Sequence, residues 1–252
     1  MLTISYSSTD YIGHNFGVNS KETEDTYLRL DKELERLFKT LDTKVGKGEY
    51  TVFLTSDHGA VSVPLFLQSV KIPSGYVDSK VYRQKLNVFL FNTYKSIDLV
   101  ENVSNNQIFL NHEKITELSL DLNQVKDEIV NEIINYEDID RAYTSTTMNT
   151  ISFSNGIEIL LQNGFNQKRS GDVIVVYKPA TISSGYGKKG TSHGSAFNYD
   201  THVPLLFFGK GIKHGSTFTK TRIVDIAPTI SALLGISFPN GATGKPLVEV
   251  LD

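Results

Sequence analysis

The sequence contains no cysteine, no long hydrophobic run and no concentration of charge of one sign. The absence of cysteine excludes disulfides, thiolate metal ligands and cysteine nucleophiles together. The apolar runs fall far short of the roughly 20 residues that a membrane-spanning helix needs. With 25 Lys and Arg against 28 Asp and Glu, the formal net charge is −3, and no basic stretch is present. The sequence therefore offers no electrostatic footprint for nucleic acid or for an anionic membrane.

What is present is the composition of an ordinary folded domain. Hydrophobic residues make up 39% of the 252 residues and charged residues 21%, which excludes a disordered or fibrous chain. This length suits either one large α/β unit or two small domains. No signal peptide is predicted, because Met1 leads directly into a strand-like segment.

The first quarter of the chain predicts a strand, a helix and a second strand. Residues 2–6 alternate apolar and polar side chains, and residues 50–55 form an apolar run of strand length. Between them, apolar residues recur at helical spacing over 20–41, and Asn19 with Glu22 offers a capping box. This order of elements is typical of a parallel sheet.

The residue pattern in the middle of the chain differs from that of the first quarter and predicts an inserted subdomain. Residues 87–91 and 107–110 are predicted strands, and a helix is predicted after Asp121. Residues 172–177 are predicted to resume the main sheet, and a last helix is predicted with Asp225 as its N-cap and Gly235 as its stop. The predicted domains are an α/β core of residues 1–78 and 167–252 and a small α+β insertion of residues 79–166.

Acidic residues and histidines cluster at the ends of predicted strands. The clusters are Asp10 with His14, the adjacent pair Asp57 and His58, and His202 with Asp200 two residues earlier. In open α/β sheets the ligand crevice lies at the carboxyl ends of the strands. Without cysteine, a zinc site must use imidazole and carboxylate ligands, and the Asp-x-x-x-His spacing puts two of them on one helical face.

The residues alone leave simpler readings open. Asp-x-x-x-His is common by chance, Asp57 and His58 also suit a turn that caps a helix, and His202 also suits a packed histidine. His193, in Gly-Thr-Ser-His-Gly, fits a position beside a metal and an ordinary loop equally well. His112 and His214 are predicted to be solvated turn residues. Spacing alone predicts no more than a His/Asp metal site.

Four motifs in order carry a resemblance to a known family. They are residues 7–14 (Ser-Ser-Thr-Asp-Tyr-Ile-Gly-His), residues 55–59 (Thr-Ser-Asp-His-Gly), residues 190–204, and residues 225–235. Together they resemble the C-terminal half of the alkaline phosphatase superfamily. The resemblance is nearest to its type I phosphodiesterase/nucleotide pyrophosphatase branch and to PafA-like bacterial alkaline phosphatases, and it spans nearly the whole chain.

The resemblance implies a fold and a metal site. The implied fold is α/β, with a mostly parallel central sheet flanked by helices and two zinc ions at the carboxyl ends of its strands. Asp10, His14 and His202 would hold one zinc, and Asp57 and His58 would supply half of the shell of the other. His193 would lie beside the metals or the substrate. Two metals about 3.5–4 Å apart stabilise the entering and leaving oxygens of a phosphoryl displacement.

The sequence also departs from the family pattern. The family nucleophile, a Thr or Ser, lies upstream of the Asp-x-x-x-His motif, as do a further Asp ligand and phosphate-binding Asn, Lys and Arg residues. We therefore expect the metal-binding C-terminal part of a two-zinc phosphatase or phosphodiesterase, with the N-terminal part of the family fold missing. This part is expected to form at most one complete zinc site and to be inactive alone.

Further expectations and alternatives follow from the resemblance. The parent protein is expected to be periplasmic or secreted and to act on phosphate esters, and the chain is expected to self-associate through an exposed sheet. One alternative is a non-catalytic domain that binds metal, phosphate or a partner. A phosphoglycerate mutase relative would need Mn²⁺ and more ligands, and a sulfatase relative would need a modified Cys or Ser upstream.

Overall fold

The computed structural model describes residues 1–251, which divide into two compact units. The first contains residues 1–28 and 58–202, and the second begins at residue 29, runs to 57 and resumes at 203. Within residues 1–251, no helix is both long and apolar enough to cross a membrane.

The helices are α1 (Ser8–Phe16), α2 (Lys21–Leu41), α3 (Pro64–Ser69), α4 (Ser79–Tyr94), α5 (His112–Glu117), α6 (Leu122–Ile133), α7 (Ser145–Thr150), α8 (Gly156–Gly164), α9 (Asn198–Thr201) and α10 (Ile226–Leu234). The strands are β1 (Thr51–Thr55), β2 (Gly75–Val77), β3 (Val100–Ser104), β4 (Gln107–Leu110), β5 (Ile139–Thr144), β6 (Val173–Tyr177), β7 (Thr181–Ser183) and β8 (Leu205–Gly209).

The core of the first unit is a four-stranded antiparallel sheet packed against α4 and α6. The strand order is β3-β4-β6-β5. Leu86 of α4, Ile129 of α6 and Val173 of β6 are all completely buried in one apolar cluster. Side chains three and four residues apart lie on one helix face, so each helix presents a continuous apolar stripe to the sheet.

Local capping determines where these two helices begin. The Asp78 carboxylate accepts a hydrogen bond of 2.8 Å from the Lys80 N–H at the start of α4. Asp121 does the same for the Asn123 N–H at the start of α6, which confirms the helix predicted there. At α2 the cap is Ser20, whose hydroxyl accepts from the Thr23 N–H at 3.1 Å, rather than the predicted Asn19.

The strand predicted at 87–91 is wrong, because these residues lie inside α4. Leu86 and Leu90 are four residues apart and both are buried, which is the helical period. A short apolar run has the composition of a buried strand and of a buried helix turn alike. The cap at Asp78, nine residues earlier in the chain, is what commits the segment to a helix.

Strand pairing differs from the mostly parallel sheet that the sequence predicted, although the α/β class is confirmed. In residues 1–251 the parallel pair is β2 with β7, and the other ladders are antiparallel. Residues 2–6, the predicted first strand, are exposed and form no strand, so β1 has no parallel crossover partner there. β6 pairs with β4 and β5 of the predicted insertion. The domain boundaries stay a prediction.

The second unit contains an antiparallel pair of strands, β1 and β8, in a register that runs from Thr51 opposite Gly209 to Thr55 opposite Leu205. On one face of β8, Leu206 and Phe208 are 61% and 58% exposed. An exposed apolar sheet face of this kind can support self-association. The self-association predicted from the sequence stays a prediction.

The last helix of the second unit begins and ends close to where the sequence predicted. Gly235 ends α10 in the left-handed conformation, with φ of 63°, as the predicted stop requires. Asp225 precedes the helix, but its buried carboxylate accepts from the backbone N–H groups of Arg222 and Lys245 instead of capping α10.

Candidate metal centre

Helix α1 places Asp10 and His14 on one face, as the spacing predicted. The His14 Nε2 lies 3.4 Å from the Asp10 Oδ2. The loop at Gly190 packs directly against the end of this helix. A Cβ at Gly190 would collide with the His14 carbonyl oxygen, so the close approach requires glycine.

That close approach fixes the His14 ring. The His14 Nδ1 lies 2.9 Å from the carbonyl oxygen of Thr191, and the ring stacks on Tyr186 with centroids 4.9 Å apart. A carbonyl oxygen only accepts, so Nδ1 carries the proton and donates it. The lone pair of Nε2 is therefore free to face Asp10, which is the arrangement of a metal-binding imidazole.

Two further imidazoles point at the same carboxylate. The Asp10 Oδ1 lies 3.5 Å from the His193 Nε2 and 4.0 Å from the His58 Nε2. The rings of His58 and His193 are stacked, with centroids 3.3 Å apart. The His58 Nδ1 donates to the Gly59 carbonyl at 2.9 Å, so its Nε2 also presents a lone pair. Three Nε2 atoms thus converge on one carboxylate.

Electrostatics favours the neutral form of His193. Burial lowers the pKa of His193, and the neighbouring His58 lowers it further, while the Asp10 carboxylate acts in the opposite direction. A neutral imidazole binds a metal ion without first losing a proton. His193 is therefore suited to be a ligand at neutral pH.

The donor atoms of Asp10, His14 and His193 are close enough together to hold one metal ion. All three lie within 4.8 Å of one another. Ligands placed tetrahedrally about 2.0–2.1 Å from zinc are about 3.3 Å apart. The Asp10 Oδ2 lies 3.4 Å from the His14 Nε2 and the Asp10 Oδ1 lies 3.5 Å from the His193 Nε2, so each imidazole approaches a different carboxylate oxygen at about that separation. Two imidazoles and a carboxylate would leave a fourth position for a substrate oxygen.

The group of possible metal ligands found within residues 1–251 contains neither His202 nor Asp57. His202, predicted as the third ligand, is exposed at the end of α9, where its backbone N–H donates to the Asn198 carbonyl. Asp57 follows β1 and belongs to the second unit. His112 is exposed, as predicted, but it begins α5 and pairs with Asp172 at 2.9 Å. The sequence signal for His193 was its glycine-flanked loop.

Asp200 is a buried carboxylate that holds the loop of His193. Its Oδ2 accepts from the Ser195 N–H at 2.8 Å and from the Ser195 hydroxyl at 2.6 Å. Its Oδ1 is buried and has no partner within residues 1–251. The loop between His193 and α9 is thus anchored through one side chain.

We expect Asp200→Ala to weaken both the fold and metal binding. Loss of the acceptor leaves the Ser195 donors unpaired, which costs about 1–3 kcal/mol of unfolding free energy. Zinc affinity is expected to fall about 10-fold, because a support of the ligand loop is lost. Urea unfolding and zinc titration measure the two effects. Asn198→Ala, a change at an exposed position of the same segment, is the control, and equal behaviour of the two variants would contradict this role for Asp200.

A family model matches most of the chain. The model that describes type I phosphodiesterase/nucleotide pyrophosphatase matches residues 1–200. The chain belongs to this family. The matched residues include Asp10, His14, His58 and His193, so the converging imidazoles lie within the family's own region of sequence.

Individual relatives in the family are similar over almost the entire chain. The alkaline phosphatase PafA of Elizabethkingia meningoseptica is 40% identical over 250 residues, which are 99% of this chain and 45% of PafA. A protein of Myroides odoratus named calcium-transporting ATPase is 42% identical over 256 residues, covering 100% of this chain and 46% of its own length. The chain therefore spans about half the length of these relatives.

A solved structure shows the same fold. The crystal structure of wild-type PafA superposes with a TM-score of 0.91 at 40% identity, over 97% of this chain and 46% of PafA. The alkaline-phosphatase-like α/β fold expected from the motifs is thereby confirmed.

Proposed function

We propose that this chain is the metal-binding part of a zinc-dependent phosphoric-ester hydrolase. One observation carries the proposal: the Nε2 atoms of His14, His58 and His193 converge on the Asp10 carboxylate in a chain of the phosphodiesterase family. Asp10, His14 and His193 are the proposed ligands of one zinc ion. We propose His193 in the position that the family resemblance gave to His202, and His202 as the third ligand stays the alternative prediction.

A second zinc is proposed for the longer parent protein, and this chain would supply only half of its ligands. His58 presents its Nε2 4.0 Å from Asp10, a longer separation than those of His14 and His193. The family resemblance implies that His58 and the preceding Asp57 supply half of the ligands of the second zinc ion, and we keep that as a proposal. Asp10 would then lie beside both metal ions, where its negative charge reduces their mutual repulsion.

The residues of the chain prepare the site for phosphoryl chemistry. When bound, zinc polarises a phosphoryl oxygen and stabilises the charge that develops in the transition state. Asp10 balances the positive charge of the site, and His14 is oriented by the Thr191 carbonyl. The lowered pKa of His193 keeps its imidazole neutral and available.

The proposed substrate class is phosphate esters, as for the family. We further propose that the chain alone has little turnover, because no Thr or Ser of residues 1–252 stands in the sequence context of the family nucleophile. Export of the parent protein to the periplasm or the cell exterior belongs to the same proposal.

The test is zinc content and hydrolysis measured on the same preparation. The full chain, purified without chelator, should contain about one zinc ion by mass spectrometry of the metal. Hydrolysis of 4-nitrophenyl phosphate and bis(4-nitrophenyl) phosphate should stay near the rate in buffer. A folded chain that takes up no zinc would overturn the metal site, and zinc-dependent hydrolysis would overturn the proposal of low turnover.

A further inference from the structure

The first unit contains a buried lysine that the metal centre does not use. Lys126 lies on the core-facing side of α6, between the buried Val125 and Ile129, and is only 5% exposed. Lysine is almost never buried at this level without a compensating partner, because an ammonium ion loses its hydration there. The nature of its partners is therefore informative.

The recorded partners of Lys126 are neutral hydroxyl groups. Its Nζ donates to the Thr146 Oγ1 at 2.8 Å and to the Ser145 Oγ at 3.3 Å. Within residues 1–251 the structure records no carboxylate as a partner of this ammonium ion. An ammonium ion has three N–H donors, so these two bonds leave one donor and the whole positive charge unbalanced.

One of the two hydroxyl groups beside Lys126 also has a hydrogen that is available to donate. The Thr146 hydroxyl donates to the Asn123 Oδ1 at 2.8 Å, so it is fully used. The Ser145 oxygen accepts from Lys126, and its own hydrogen has no recorded acceptor among the described residues. The Ser145 backbone N–H donates to the Asp172 carbonyl at 2.8 Å, which fixes the position of this residue. Thr146 is exposed, so the group borders solvent.

We propose that Lys126 and Ser145 form a binding site for a tetrahedral oxyanion with the chemistry of phosphate. The third N–H of Lys126 and the Ser145 hydroxyl would donate to its oxygens, and its charge would balance the buried ammonium ion. Inorganic phosphate and the phosphate group of an ester share this chemistry. The site shares no residue with the Asp10, His14 and His193 group and does not depend on bound metal.

Phosphate binding to the metal-free full chain tests the proposal. The chain is treated with chelator, and its thermal unfolding is followed with inorganic phosphate, with phenyl phosphate, and with chloride at matched ionic strength. A ligand that binds the folded chain raises the unfolding midpoint according to its affinity. The variants are Lys126→Met and Ser145→Ala, and Lys80→Met removes an exposed lysine of the same unit as the control.

We expect inorganic phosphate to stabilise the wild-type chain and Lys80→Met equally. In Lys126→Met the apparent phosphate affinity should fall at least about 10-fold, since the only charge of the site is lost. Without phosphate this variant should be about as stable as wild type, because an apolar replacement removes an unbalanced buried charge. Ser145→Ala should lose a smaller part of the affinity and tests the site even if Lys126→Met fails to fold.

Two results would overturn the proposal. One is a wild-type chain that phosphate stabilises no more than chloride does. The other is an unchanged phosphate response in Lys126→Met or, if that variant does not fold, in Ser145→Ala, since Lys126 would then be only a structural link between α6 and α7. Equal binding of phenyl phosphate supports an ester group as the ligand, and binding of inorganic phosphate alone supports the free ion.

Discussion

His193→Ala is expected to abolish stable zinc binding, whereas His202→Ala is expected to retain it. His193 presents its Nε2 3.5 Å from the Asp10 carboxylate, and His202 is an exposed residue at the end of α9. Loss of a residue that merely supports a ligand typically costs 10–100-fold in metal affinity, so loss of a ligand should cost more than about 100-fold. Competition with a chromophoric chelator at neutral pH measures the difference.

The control for this pair is His214→Ala, which removes an exposed histidine of the second unit. It should bind zinc like the wild type and like His202→Ala. The reverse order, with zinc lost from His202→Ala and kept by His193→Ala, would show that the ligand set predicted from sequence is correct and that the proposed one is not. Circular dichroism of each variant establishes that it is folded before zinc is measured.

Ile129→Ala is expected to lower the unfolding free energy of the first unit by about 2–5 kcal/mol. Ile129 is completely buried between α6 and the four-stranded sheet, so its removal leaves a cavity that the packed neighbours cannot fill. Urea unfolding, followed by far-ultraviolet circular dichroism, measures the change.

Ile134→Ala provides a matched comparison for this measurement. Ile134 lies one residue beyond the end of α6 and is 44% exposed, so the same chemical change removes much less buried surface. Its effect should be within about 1 kcal/mol. If the two variants were equally destabilised, α6 would not be the core helix of this unit.

Local signals in the sequence were sufficient for several elements. The Asp-x-x-x-His spacing predicted that Asp10 and His14 share a face, and α1 confirms it. Asp121 and Gly235 marked the start of α6 and the end of α10, because a helix cap needs only a few neighbouring residues. Such features depend on contacts within about one turn of the chain.

Features that depend on distant contacts were not predictable in the same way. The apolar run of residues 87–91 predicts a strand, because it reveals neither the cap at Asp78 nor the packing of Leu86 and Leu90 that make this segment helical. The antiparallel position of β6 depends on distant partners. Tyr177 of β6, for example, pairs with Ile139, which lies 38 residues earlier in the chain (177 − 139). The alternation of apolar and polar residues shows which face of a strand is buried, but it does not show which other strand pairs with it.

The choice between His193 and His202 as the third ligand also depends on distant contacts, and it stays a proposal. Both lie in one segment of the family motif, and spacing cannot show which imidazole turns toward Asp10. The tertiary contact of Gly190 with α1 brings the earlier histidine to the carboxylate, and α9 carries the later one to an exposed position. The contact between residues 14 and 190 produces no periodic pattern in the sequence, so it could not be predicted from the sequence alone.

The place of β6 between β4 and β5 has a consequence for synthesis of the protein. β4 and β5 are made first, yet each has to wait for β6, since Gln107 pairs with Ile174 and Ile139 with Tyr177. Closing such long loops is slow compared with forming the β3–β4 hairpin. A nascent chain that ends before residue 173 therefore leaves β4 and β5 each without the β6 partner, and the sheet cannot be completed until residues 173–177 have left the ribosome.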